Sequence, residues 1–135
     1  MPALPFRESD LEAMLDPSVA AVIQRLGPAA SWEVVGAVIG NHGAAAEAPG
    51  IWARVMSEFT DFVCTDSPQY ADLRAQWDDL CARSAAIAVT ALTASLAAEL
   101  GVAATVASPM VVWLVLSAVR IGTRAFCACR LSLPL

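Results

Sequence analysis

The sequence predicts an all-α chain, and three observations carry that reading. Apolar residues recur at the three-and-four spacing of a helix face in successive segments. No segment shows the apolar–polar alternation of a strand over a useful length. The breaks fall at Asp/Ser-Pro pairs and at glycines, where helices start and stop. A chain of 135 residues has room for one domain with a helical appendage. The expected layout is a small soluble helical bundle over residues 1–83, whose last helix continues into a hydrophobic helical hairpin with a basic C-terminal flank over residues 84–135.

Met1 to Phe6 contains two prolines and reads as an extended arm. Ser9, with Glu12 three residues on, matches a capping box for a short helix carrying Leu11, Met14 and Leu15. Pro17 fits a first helical position with Asp16 as its cap, and the helix it opens ends near Gly27. Val19, Val22, Ile23 and Leu26 form its apolar face. Ser31 is the next cap, for a helix with Trp32, Val35, Val38 and Ile39 that Gly36, Gly40 and Gly43 weaken. Asn41 to Gly50 has loop composition. The clearest stripe follows, with Ile51, Trp52, Val55, Met56, Phe59, Phe62 and Val63 on one face, and it is expected to centre the N-terminal core.

Asp66-Ser67-Pro68 is a second strong start, for a helix with Tyr70, Leu73, Trp77, Leu80 and Cys81 on its apolar face. Only composition changes at Ser84, so this helix is expected to run on to Leu100 as one rod about 50 Å long. Gly101 ends it. The last helix is expected to begin at Ser108-Pro109 and to continue until shortly before Pro134.

Ser84 to Val119 is the segment around which the rest is organised: roughly thirty-six residues with one ionisable side chain, Glu99. Broken at Gly101 and Pro109, it yields apolar pieces of about fourteen and ten residues, the length of buried core helices or re-entrant segments. Read with Pro109 as a kink, Leu100 to Val119 is long enough to span a bilayer. Flanking arginines favour the membrane, because Arg83 precedes the stretch and Arg120, Arg124 and Arg130 follow it. The many Ala, Ser and Thr residues between Ala85 and Ala98 suit close helix contact in lipid or in a tight bundle.

Composition narrows the function. Hydrophobic residues make up 58%, above the roughly 45–50% of an ordinary soluble domain. The net charge is −5, all eight bases are arginine, and an acidic chain with an apolar basic tail is a poor nucleic-acid binder. The N-terminus lacks the basic and apolar regions of a cleaved signal, so Cys64, Cys81, Cys127 and Cys129 are expected to be reduced. Cys127-Ala-Cys129 has the wrong spacing for structural zinc, and no metal or cofactor is expected. A Cys64–His42 pair is the one combination that invites a nucleophile–base reading, and no motif brings the two together. No small-molecule substrate and no enzyme activity are expected.

Four residues stand out as candidates. Glu99 is either a costly charge between apolar segments or the exposed tip of the hairpin. Arg120 and Arg124 are four apart, share a predicted face with Cys127, and are suited to acids of the N-terminal bundle, lipid phosphates or an interface. Trp113 lies inside the apolar run, away from an interfacial belt, and is expected to anchor packing, as are Trp52 and Trp77. The expected function is non-enzymatic: membrane insertion or association through the hairpin, as a pore-like effector or an anchor, with the N-terminal bundle in the cytoplasm. The alternative is a cytoplasmic adaptor or assembly subunit whose hairpin is buried in a homo-oligomer or by a partner protein.

Overall fold

The computed structural model describes residues 2–41, 45–46 and 48–131; His42 lies outside them. Among the described residues the chain forms eight α-helices and no strand: Glu8–Glu12 (α1), Pro17–Leu26 (α2), Trp32–Ile39 (α3), Ile51–Cys64 (α4), Ala71–Arg83 (α5), Ala85–Leu100 (α6), Ala104–Ile121 (α7) and Thr123–Leu131 (α8). The starts follow local chemistry where a side chain can replace a missing intrahelical acceptor. Asp16 Oδ1 accepts the Ser18 N–H at 2.8 Å, and Ser31 Oγ accepts the Val34 N–H at 3.2 Å.

The centre of the molecule is α7. Every residue from Met110 through Ala118 is buried, on all sides of the helix. A helix apolar all round needs partners all round. Here α1, α3, α4, α6 and α8 supply them. One apolar cluster therefore draws on both segments, joining Leu11, Val35, Val55 and Phe59 to Leu92, Leu96, Leu114 and Phe126. The N-terminal arm closes one end of it. Phe6 packs edge-on against Trp77 with centroids 6.1 Å apart, and Trp77 Nε1 donates to the Ala3 carbonyl at 2.6 Å. Elsewhere α3 and α4 approach closely because Gly36 receives the Trp52 ring; a Cβ there would stand 2.1 Å from Cη2.

Several boundaries differ from expectation, each for a local reason. The rod expected from Pro68 to Leu100 is two helices. Ser84 is extended (φ −171°, ψ 159°), its N–H bonds back to the Leu80 carbonyl, and its Oγ accepts the Ile87 N–H at 3.0 Å. A serine at a composition change is thus a cap, and it lets α5 turn and pack along α6. The helix expected from Ser108-Pro109 begins at Ala104, so Pro109 sits inside α7. Its missing N–H leaves the Thr105 carbonyl without its usual donor, in an exposed turn where water can serve. Gly122, at φ 95°, then separates α7 from α8, so no single helix runs on toward Pro134.

Two caps also differ. The start of α1 has no side-chain cap, so Ser9 does not form the expected capping box. After α4, Thr65 Oγ1 rather than Asp66 accepts the Ser67 N–H, at 3.2 Å, and Pro68–Tyr70 forms a 3-10 turn before α5. Two arginines stitch helix ends with their planar forks. Arg74 donates to the carbonyls of Asp61, Phe62 and Ser67, and Arg54 donates to the Leu100 carbonyl at 2.9 Å.

Candidate functional site at the α6–α7 hairpin

Gly101, at φ 70°, turns the chain between α6 and α7, and its N–H and that of Val102 bond to the last carbonyls of α6. The two helices then pack against each other as a hairpin. The inner face of α6 supplies Ala88, Val89, Leu92, Leu96 and Ala97 to the core. Its outer face is exposed and carries Ala86, Ile87, Thr90, Ala94 and Ala98. No ionisable side chain interrupts that face between Arg83 and Glu99. Beside it, α6 and the first turns of α7 enclose a shallow groove of about 230 Å³, walled by Val89, Thr90, Thr93, Ala94, Thr105 and Ser108. Thr93 and Ser95 turn their hydroxyls back to the carbonyls of Val89 and Ala91 within the helix. By contrast, α5 presents Asp72, Asp78, Asp79 and Arg83 to solvent.

The four sequence candidates fall in three places. Glu99 is exposed in the last turn of α6, next to Gly101. Its charge still reaches Tyr70, in the turn before α5. There Tyr70 donates to Glu58 Oε1 at 2.6 Å, and burial first, then the Glu58 hydrogen bond and the surrounding carboxylates, push the phenol pKa far up. Arg120 and Trp113 meet at the C-terminal half of α7. The Arg120 guanidinium stands 5.8 Å from the Trp113 ring centroid, and it donates to Glu8 at 2.7 Å and Glu12 at 3.1 Å. The N-terminal carboxylates are thus its partners, and the pairs clasp α1 onto α7. Trp113 is 5% exposed and donates Nε1 to the Trp32 carbonyl at 2.9 Å, which makes it a packing anchor. Arg124 is exposed on α8. Gly122 puts it on a different helix from Arg120, and Cys127 of its own helix is buried while it is not, so the expected shared face is absent.

Along the side of α7 that α2 leaves open runs a cleft containing Ile23, Gln24, Trp113 and Arg120. Its guanidinium is already neutralised by two carboxylates, so it offers an anion no free charge.

The cysteines correct an expectation. Cys64 and Cys127 form a disulfide with their Cα atoms 5.4 Å apart. The cause is packing: Phe126 of α8 lies against Phe59 and Trp32, which lays the start of α8 across the end of α4. Nothing in the spacing of two cysteines 63 residues apart signals this. Cys64 is thereby removed as a thiol nucleophile. Cys81 and Cys129 remain free, half-buried and exposed respectively. Burial and the neighbouring Asp78 push the Cys81 thiol up to about 11. Among the described residues no three His, Cys, Asp or Glu side chains gather around a common point.

Sequence reasoning missed Ile87 as the protruding member of the α6 face. The signal was available in the uncharged positions 87, 90, 94 and 98, which lie along one side of a helix. No family model, no curated protein and no solved structure matches this chain.

Proposed function

We propose that this chain is a non-enzymatic helical assembly module that folds around α7 and docks onto protein through the outer face of α6. The observation that carries the proposal is the exposed, charge-free run of α6 from Ala86 to Ala98. The neighbouring α5, by contrast, includes Asp72, Asp78, Asp79 and Arg83 among its water-facing residues. The burial of Met110–Ala118 within the same chain supports it, since the bulkiest part of the hairpin then needs no further cover. The engagement of Cys64 in a disulfide supports a non-enzymatic role, because that thiol was the nucleophile of the one catalytic pairing the sequence invites.

A second reading, insertion of the hairpin into a membrane, is favoured by one observation. Ala104–Ile121 has 18 residues at a mean hydropathy of 1.7, long and apolar enough to cross a bilayer. Insertion would first have to strip α1, α3, α4 and α8 from α7, including both Arg120 ion pairs.

The test is to purify the full chain without detergent and to float it with vesicles of phosphatidylcholine and phosphatidylglycerol. A monodisperse protein that stays out of the vesicle fraction is the expected result. A requirement for detergent, or co-flotation with the vesicles, overturns the assembly reading in favour of insertion.

A further inference from the structure

We infer that α8 is a redox-released latch: the Cys64–Cys127 disulfide holds it on the helical body, and a dithiol reductant that opens the bond frees α8 while α1 to α7 stay folded. Little besides the disulfide holds α8 in place. Of its nine residues only Phe126 and Cys127 are buried. Phe126 packs against Trp32 and Phe59 with centroids 5.3 and 5.6 Å apart, and Arg130 Nε donates to Thr60 Oγ1 at 3.3 Å. Among the described residues no ion pair joins α8 to another helix. A helix of nine residues is too short to persist in water unless it is docked. Once the sulfurs part, one aromatic side chain and one long hydrogen bond are left to offset the entropy of ordering it.

The body of the molecule does not depend on α8 in the same way. Gly122, at φ 95°, breaks the chain between the last two helices. Its N–H closes α7 on the Ala118 carbonyl at 2.8 Å, and the Phe126 N–H of α8 reaches back only to the Gly122 carbonyl, at 2.9 Å. The buried run Met110–Ala118 lies before this break and also packs against α1, α3, α4 and α6. Release of α8 therefore uncovers the sides of Trp32 and Phe59 that Phe126 covers, and leaves α7 enclosed. The outer face of α6 is unchanged, because α8 lies against α4 and α7.

The exchange balances without help from another group of the chain. Cys127 is buried and Cys64 half-buried, so the reductant's thiolate approaches Cys64 Sγ. A mixed disulfide forms there as the Cys64–Cys127 bond breaks, and Cys127 leaves as a thiolate that takes a proton from water. The second thiol of the reductant then attacks the reductant's own sulfur in the mixed disulfide. That closes the reductant's disulfide and releases Cys64, which is protonated in turn. The dithiol loses two electrons and two protons, and the protein gains them.

Hydrogen exchange read residue by residue, with and without dithiothreitol, tests this on the whole chain. Thiol titration in denaturant should find two of the four cysteines free before reduction, Cys81 and Cys129, and all four after it. Reduction should speed exchange of the Phe126 to Arg130 amides at least about tenfold, while those of Val111 to Val115 stay at least about a hundredfold slower than the α8 amides. The loss of helical circular dichroism should not exceed the nine residues of α8. Cys64→Ser with Cys127→Ser should exchange like the reduced parent, with or without reductant. Cys129→Ser should respond to reductant as the parent does. Four free thiols before reduction overturn the latch, as do α8 amides indifferent to reductant, since packing alone then holds the helix. Equal exchange in α7 and α8 after reduction overturns it too, because the two then open together. A Cys129→Ser chain that no longer responds would assign the cross-link to that thiol and overturn the pairing.

Discussion

Replacing Gly36 by alanine puts two effects of opposite sign against each other. Gly36 lies inside α3, where alanine is favoured over glycine by about 1 kcal/mol on helix propensity alone. The packing says otherwise. A Cβ at residue 36 would stand 2.1, 2.2 and 2.6 Å from Cη2, Cζ2 and Cζ3 of Trp52, well inside ordinary contact. The ring would have to retreat by more than an ångström, and its freedom is limited. Trp32 packs edge-on against it with centroids 6.3 Å apart, and Gly40 already receives its Cβ, where an added Cβ would be 2.8 Å away. Overpacking of this kind costs roughly 1–3 kcal/mol, and three ring atoms under 3 Å place the site in the upper half. The expected net effect is a loss of about 1–2 kcal/mol, or a fall in Tm of roughly 3–10 °C for a chain of this size. Urea unfolding followed by far-ultraviolet circular dichroism measures it, with an unchanged m-value showing that the native state alone is affected. In a Trp52→Phe background the smaller ring makes room, and Gly36→Ala should become neutral or stabilising by up to about 1 kcal/mol. The reasoning is refuted if Gly36→Ala raises the stability of the parent chain, or if its cost is undiminished beside Trp52→Phe.

Removing the cross-link with Cys64→Ser and Cys127→Ser should lower stability by about 4 kcal/mol, the chain-entropy value for a loop with a sequence separation of 63. Dithiothreitol should bring the parent chain down to the variant, and a parent indifferent to reductant would contradict the pairing. In the native oxidised protein, iodoacetamide at pH 8 should label exposed Cys129 first and Cys81 slowly, with the Cys81 rate climbing as pH approaches about 11; equal rates at pH 8 would count against its burial. Asp61 has its pKa raised above 3.8 by burial first and by the Glu58 charge second, so the stability it allows at low pH is lost as pH rises from its unfolded to its folded value. Asp61→Asn should therefore raise Tm at pH 7 and bring no gain at pH 3; a gain at both would assign the effect to something other than charge. Leu116→Arg, at a residue 0% exposed, should unfold the whole chain, whereas a span in lipid predicts lost insertion with residues 1–80 still folded.

Where a local rule operates alone, the sequence was a sufficient guide. Asp16-Pro17 and Ser31 begin helices through hydrogen bonds to residues two or three positions on, and a reader of the sequence sees both partners. The stripe from Ile51 to Val63 buries the face its spacing implies, with Ile51, Val55, Phe59, Phe62 and Val63 in the core. Ser84 failed because the residue has two uses. A serine between a charged and an apolar helix reads as a continuing helix or as a cap, and only the packing of α5 along α6 decides. The glycines of α3 were legible only as weaknesses, because the reason for them is a ring contributed by α4. The disulfide and the Arg120 clasp join residues 63 and more than a hundred positions apart, and no local pattern announces either.

The hydrophobic stretch shows the deeper limit. Length and hydropathy describe what a helix avoids, which is water, and lipid and protein satisfy that equally. What separates them is the rest of the chain. Leu11 of a five-residue helix has no reason to be 0% exposed unless α7 is there to receive it, and the same holds for Val35 on α3 and Phe126 on α8. Taken one at a time these helices are too short to be stable in water. Their apolar faces are matched in number and position to the faces of α7, so the N-terminal helices and the hairpin complete each other's burial. Moving α7 into a bilayer would strand those faces in water, a loss that the hydropathy of α7 itself does not register. On α6 the balance is different, because among the described residues no helix covers the side that bears Ile87, Thr90, Ala94 and Ala98. The stretch that reads as one hydrophobic unit is therefore two things physically: a core helix whose partners are in the same chain, and a surface helix with one side turned to solvent.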